Sequence, residues 1–584
     1  MRLLDLSEVL NSRVLIGDGA MGTLLGEHGV GFKHPYDRAN ITRPDLVQSL
    51  HEQYIRAGAD LIETNTFSAN RVRLAGGKVE DKVREINAEG ARLARKAVEK
   101  EAKRGEKPLV QGAIGPLGKS LAPIGQIQAG EAREMFREQA EALLEGGADV
   151  LLLQTFPDFD ELKLAYETVS EFGVPVLAYK TFVEDGETLA EGLPAKIAVQ
   201  ISGWGAAVVG SNCTVGPQRM VGIVEQMSAE VGPVAALPNP GLPQLIDGTI
   251  HYRRDVRHFA SYGVKLAEAG ARLVGGCCGT TPEHTAALAE ALKDFQVDRN
   301  GAKKSVAPRE RVDGAETSTE PVTGFAGRIK EGFATTVEVD LPRGNDISEV
   351  IEASRKLKER GVHAIDISDG ARARLRMHPI AVAKMIQDEV GIEVVAHISC
   401  RDRNIIGLQA DLLSAAALDV RNILAVTGDP AQIGDYPEAT SVFDTDSVGL
   451  VHILSKMNRG EDLAGNSIGK APGFLIGASF NPTAEELDGE IEKLRRKVEA
   501  GAHAFWTQPV FEIEDLENSL EEIEKLGLEV DIILGLMPLR SARQAEFLHH
   551  EVPGINIPKR VRTRLAELTK EDAPKYGVEV AREL

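Results

Sequence analysis

Eight short apolar runs, each stopped by polar or glycine-rich residues, are spaced along the first half of the chain at residues 14–16, 61–62, 109–110, 150–153, 176–179, 206–209, 234–237 and 273–274. Runs this short with breakers at both ends read as buried parallel strands, covered on both faces. The stretches between them, such as 43–57 and 131–145, carry helical periodicity. Eight strand–helix repeats predict a (β/α)8 barrel, in which reactive groups gather at the carboxyl ends of the strands.

That rule singles out the cysteines, of which the 584 residues contain four. Gly275-Gly276-Cys277-Cys278-Gly279 follows the last of the eight runs, and Ser211-Asn212-Cys213 follows the sixth. Two adjacent cysteines are a strained vicinal disulfide, two buried hydrophobes, or two thiolates offered to one metal ion. The third reading fits best, because all three sulfurs fall at strand ends. Three thiolates with an open fourth position are the ligand set of a catalytic zinc site rather than a closed structural one, and such a site would activate a substrate thiol.

At this length the chain is too long for one core and predicts two large domains. Lys and Arg number 67 against 88 Asp and Glu, a net charge of -21, which argues against nucleic acid or an anionic membrane as the main partner. No stretch reaches transmembrane length. Four cysteines do not make a disulfide framework, so a reduced, cytoplasmic location is expected.

Residues 298–326 contain few large apolar side chains and read as a linker between a domain at 1–297 and one at 327–584. The second half repeats the strand–helix rhythm at 335–339, 364–367, 394–398, 423–426, 474–478, 504–507 and 532–536. After residues 555–558 the pattern is helical to the end. The fold class is therefore α/β, two TIM-type (β/α)8 barrels in tandem, the second without its eighth strand. An open barrel leaves two edge strands, so either a partner covers them or the sequence is truncated.

Gly17-Asp18-Gly19-Ala20-Met21-Gly22-Thr23, Glu63-Thr64-Asn65-Thr66-Phe67, Gly210-Ser211-Asn212-Cys213 and Gly275-Gly276-Cys277-Cys278-Gly279 together resemble the zinc-dependent homocysteine S-methyltransferase family, over about residues 10–293. The resemblance implies that Cys213, Cys277 and Cys278 hold zinc, with Asn239 as an oxygen ligand when substrate is absent. It further implies that Asp18 and Gly19 hold the homocysteine backbone. Where many members carry a glutamate at the end of strand four to meet the substrate ammonium, this chain has Gln154, which accepts a hydrogen bond without the charge.

In the second half, Val337-Glu338-Val339, Ala396-His397-Ile398-Ser399-Cys400, Ala425-Val426-Thr427-Gly428-Asp429-Pro430 and Thr507-Gln508-Pro509-Val510-Phe511 resemble the flavin-dependent methylenetetrahydrofolate reductase family, over about residues 327–560. By that resemblance Ser368, His397, Thr427, Gly428 and Lys497 hold FAD, Asp429 meets pterin and flavin, Gln508 contacts the pterin, and Glu338 protonates the folate N10. Glu338 alternates with two valines, so it is expected to face the barrel mouth, buried and with a raised pKa. Thr427 stands where an arginine often precedes the Gly-Asp pair, and Ala542 where an aromatic residue can cover the ligand.

The combined expectation is a two-enzyme fusion that makes 5-methyltetrahydrofolate from methylenetetrahydrofolate with NAD(P)H or another reductant, and methylates homocysteine to methionine. The methyl donor is left among S-methylmethionine, S-adenosylmethionine, a methylated corrinoid protein and the folate itself. A homo-oligomer or an electron-donor partner is left open. The competing expectation is that only the zinc barrel is catalytic, the second being a folate- or flavin-binding regulatory or partner-docking module.

Overall fold

The computed structural model describes residues 6–30, 35–101, 107–182, 192–241, 243–246, 249–252, 254–297, 321–370, 373–484, 486–551 and 555–584. The chain divides into two compact units, with the main boundary after Asp313. Of the expected linker at 298–326, residues 298–320 lie outside the described residues, and the last few already open a helix, Gly324–Lys330.

The first unit carries the strands β1 (Leu15–Ile16), β2 (Leu61–Glu63), β3 (Leu109–Ile114), β4 (Val150–Phe156), β5 (Val176–Lys180), β6 (Val208–Asn212) and β7 (Val234–Leu237), then an antiparallel hairpin of β8 (Pro243–Ile246) and β9 (Thr249–Tyr252), and finally β10 (Ala271–Val274). All but the hairpin form one parallel sheet in the order β1-β10-β7-β6-β5-β4-β3-β2. A parallel bridge from Gly17 to Leu61 joins the two ends of that order and closes the ring. The closure is tight: a Cβ on Gly275 would stand 3.0 Å from the Cα of Gly17, so side chains are excluded where the first and last strands leave the barrel.

Alternation along the strands turns Leu15, Leu61, Leu109, Leu152, Leu177 and Leu273 into the ring, where they form one core. The helix Leu6–Ser12 sends Leu6 and Leu10 into the same core and shuts its amino-terminal end. Apolar filling below leaves the carboxyl end to polar side chains.

The second unit has β11 (Thr336–Glu338), β12 (Ala364–Ile367), β13 (Glu393–Ser399), β14 (Asn422–Val426), β15 (Leu475–Phe480), β16 (Ala504–Thr507) and β17 (Asp531–Ile533), all parallel and paired in chain order. Among the described residues β11 pairs only with β12 and β17 only with β16, so the barrel has seven strands and two edges, as the sequence predicts. Its interior repeats the plan of the first, with Phe325, Ala326 and Ile329 of the Gly324–Lys330 helix packed on Ala364, Val395, Leu424 and Leu475. Past β17 the helices Ala542–Glu551, Lys559–Glu567 and Ala573–Glu583 pack with Phe511 and Leu539 around a small core of their own. Among the described residues no helix is long and apolar enough to cross a membrane.

Candidate functional site

Cys213 follows β6 directly, and Cys277 and Cys278 follow β10 after two glycines. Both loops are tied to the end of β7, which lies between those strands: the Cys213 N–H donates to the Leu237 carbonyl and the Cys277 N–H to the Pro238 carbonyl, each at 3.0 Å. The three sulfurs consequently lie within 4.8 Å of one another, Cys213 and Cys278 at 3.8 Å. Cys213 and Thr214 hold φ values of 60° and 59°, a left-handed conformation that non-glycine residues adopt at a cost and that collects at functional sites.

Hydrogen bonds from Cys277 and Cys278 draw the Cys213 thiol down to about 3. The bond to Cys213 in turn pushes Cys278 up to about 12 and Cys277 well above the ordinary thiol range. The three thiols thus oppose one another's ionisation, and a cation placed among the sulfurs would favour the thiolate form of each. The side chain of Asn239 supports the Cys213 thiolate, and its Oδ1 is buried with no hydrogen-bond partner among the described residues. Three clustered sulfurs and a buried, unpartnered oxygen fit a zinc ion.

Two neighbours of the cluster escape sequence reasoning. Asn212 donates from Nδ2 to Thr155 Oγ1 at 2.7 Å and to Gln154 Oε1 at 3.2 Å, and the same nitrogen is 3.7 Å from Cys277 Sγ. Tyr252 ends β9, its ring lies against Gly279, and its hydroxyl hydrogen-bonds Cys278. The one linear hint of the tyrosine is Gly279: its φ is +85° and a Cβ there would stand 2.3 Å from the ring.

Of the residues expected to bind substrate, Asp18 is buried beyond β1, accepts the Glu63 N–H at 2.9 Å through Oδ2, and leaves Oδ1 without a partner among the described residues. Gly19 packs against Thr280 and Tyr54. Gln154 is already engaged: its Nε2 donates to Glu63 Oε2 at 2.7 Å. Burial pushes the Glu63 carboxyl up to about 7, and burial followed by the charge of Glu63 raises Asp18 well above the usual range. Glu63 stands in a motif quoted above, yet no role is assigned to it from sequence.

In the second barrel, His397 Nε2 lies 3.6 Å from Asp366 Oδ1. Both atoms, with Ser399 Oγ and Trp506 Nε1, are buried and have no hydrogen-bond partner among the described residues. Buried polar atoms in such number call for a ligand bearing donors and acceptors, and the ring system of a flavin fits that need. Ser368 lies just beyond β12. Lys497 is buried, its Nζ donating to the Ser479 carbonyl at 2.6 Å. Thr427, Gly428 and Asp429 form the turn after β14: Thr427 Oγ1 accepts the Ser447 N–H at 3.1 Å, and the Asp429 carbonyl lies 3.5 Å from Arg401 Nη1. Gln508 is exposed beyond β16, its N–H bonded to Phe480. Glu338 corrects an expectation. It sits opposite Asp366 in register, so it does belong to the inner face, but its side chain is exposed rather than buried, because it stands on the edge strand β11, which among the described residues has no strand on its other side.

Residues 15–292 match the family model of homocysteine S-methyltransferase, and residues 326–584 that of methylenetetrahydrofolate reductase. The chain is 34% identical over 302 residues to the methionine synthase of Mycobacterium leprae, a match covering 49% of this chain and 25% of that protein. It is 33% identical over 306 residues to the methionine synthase of Mycobacterium tuberculosis, covering 50% and 26%. The match thus spans about a quarter of the length of these relatives. Among solved structures, the metallated form of the homocysteine methyltransferase MmuM from Escherichia coli is 26% identical, with 49% of this chain and 98% of that one covered and a TM-score of 0.42.

Proposed function

Because the chain joins a homocysteine S-methyltransferase domain to a methylenetetrahydrofolate reductase domain, a pairing that belongs to one-carbon metabolism, we propose that it carries out both reactions named in those families. In the first barrel Cys213, Cys277 and Cys278 would hold zinc, with Asn239 Oδ1 in the fourth position until substrate arrives. Zinc supplies the Lewis acidity that keeps a bound thiol ionised at neutral pH. The protein's own part is to place the amino-acid end of homocysteine beside Asp18 and Gly19, and to hold the sulfurs in one spot through the strained Cys213-Thr214 backbone. The product is methionine.

In the second barrel Ser368, His397, Thr427, Gly428 and Lys497 would hold FAD, which supplies hydride chemistry that side chains lack. Asp429 and Gln508, both exposed, would meet the pterin, and Glu338 would be the proton donor to N10. Its exposure here means that the bound flavin and folate, rather than the protein alone, would have to shield it.

The observation that carries the reading is the meeting of three sulfurs within 4.8 Å beside an unpartnered amide oxygen. The test is anaerobic turnover of the zinc- and FAD-loaded chain with homocysteine and each of S-methylmethionine, S-adenosylmethionine, a methylated corrinoid protein and 5-methyltetrahydrofolate. Methionine formed from none of them would reject the methyltransferase assignment. Bleaching of the flavin by 5-methyltetrahydrofolate is expected of a reductase; flavin that binds and does not bleach makes the second barrel a binding module.

A further inference from the structure

The mouth of the first barrel contains an acceptor-rich corner beside the sulfur cluster. Glu63 ends β2 and alternates with Leu61, whose side chain belongs to the inner core, so Glu63 faces into the ring. Gln111 is opposite Glu63 in register on β3. Asp18, 2% exposed, and Gln111, 1% exposed, each present a buried side-chain oxygen with no hydrogen-bond partner among the described residues. No lysine or arginine is hydrogen-bonded or ion-paired to Asp18 or Glu63 among the described residues. Two buried carboxyls with one N–H donor apiece, beside two oxygens that have none among the described residues, make a costly arrangement unless a ligand brings several N–H groups and a positive charge.

Gln154 cannot meet that ligand as freely as its position suggests. Its Nε2 is given to Glu63 Oε2 at 2.7 Å, and its Oε1 accepts from Asn212 at 3.2 Å. Asn212 in turn lies 3.7 Å from Cys277 Sγ, so a continuous line of polar contacts runs from the sulfur site to Glu63. The amide fixes the carboxylate at a set place relative to the thiols.

Resting on the homocysteine reading above, we propose that Glu63, with Asp18 beside it, receives the α-ammonium of the amino-acid thiol, and that Gln154 is a positioning residue that holds Glu63. The glutamate absent from the end of strand four is thereby replaced from strand two. A primary ammonium brings three N–H groups and one positive charge, which matches the acceptors of this corner.

The test uses the zinc-loaded full chain and titration calorimetry with L-homocysteine and with 4-mercaptobutanoate, the same thiol acid without its amino group. The parent is expected to prefer homocysteine by on the order of 10²-fold, the scale of a buried charge-assisted pair. Glu63→Gln is expected to lose at least about tenfold of that preference at unchanged zinc content, and Gln154→Leu only a few-fold. Should Glu63→Gln fail to fold, Glu63→Asp, which keeps the charge but withdraws it, is expected to lose preference while binding 4-mercaptobutanoate as the parent does. Unaltered preference in Glu63→Gln or Glu63→Asp, or preference abolished by Gln154→Leu alone, overturns the assignment. Equal affinity of the parent for both thiols also overturns it while leaving the thiol site standing. Binding of neither thiol means that the homocysteine reading has failed first, and the assignment with it.

Discussion

The three sulfurs lie within 4.8 Å of one another, and as ligands to one ion each should count. Cys213→Ser and Cys277→Ser are each expected to cut zinc from about one per chain by at least tenfold under limiting metal, because a hydroxyl replaces a thiolate ligand poorly; metal analysis of the purified variants checks it. The same barrel stores buried carboxyls that titrate unusually. Glu161 accepts the Leu117 N–H at 2.7 Å, and burial pushes it up to about 7. A carboxyl raised in the folded state contributes its full stability below the unfolded value near 4.5 and loses it as pH climbs through 7. Glu161→Gln should therefore flatten the fall in stability between pH 5 and pH 8 by about 1–2 kcal/mol relative to the parent, below the full linkage value for such a shift, as urea melts at the two pH values would show. The cysteines were legible from sequence because a doublet at a strand end is a linear signal. Glu63 was not, because what distinguishes it is a bond from Gln154, 91 positions away.

At the level of elements, every strand of both barrels was legible, since each carries a short apolar stretch between breakers, most plainly Val150-Leu151-Leu152-Leu153. The hairpin of β8 and β9 was not, for its importance lies in where it lands. It lays Tyr252 over Gly279, whose φ of +85° and missing Cβ make the contact feasible. Gly279→Ala is expected to destabilise the first barrel by about 1–3 kcal/mol, from strain and from collision with the ring. Adding Tyr252→Ala should recover the steric part and not the backbone part, so a double-mutant cycle in denaturant melts should return a coupling on the order of 1 kcal/mol. A cycle with no coupling would mean that the hairpin does not rest on the cysteine loop. The exposed position of Glu338 was likewise hidden, because period-two alternation tells which face a residue takes and not whether a neighbouring strand covers that face.

Over the whole molecule, the sulfur cluster and the polar mouth of the second barrel are built on separate apolar cores. Cys278→Ala is accordingly expected to abolish zinc retention and methyl transfer while leaving flavin content per chain unchanged, to be read from metal analysis and the flavin absorbance of one preparation. Loss of both would show that the cores are energetically joined. The short helices that begin each barrel, Leu6–Ser12 and Gly324–Lys330, close its floor with leucine, phenylalanine and isoleucine side chains. In the first barrel, whose ring is closed, the chamber is a vessel with a single neck. Reactants and products have to share one doorway, so whatever occupies the inner berth must enter first and leave last, and traffic through the neck imposes an order of events on chemistry that the reacting atoms themselves do not require.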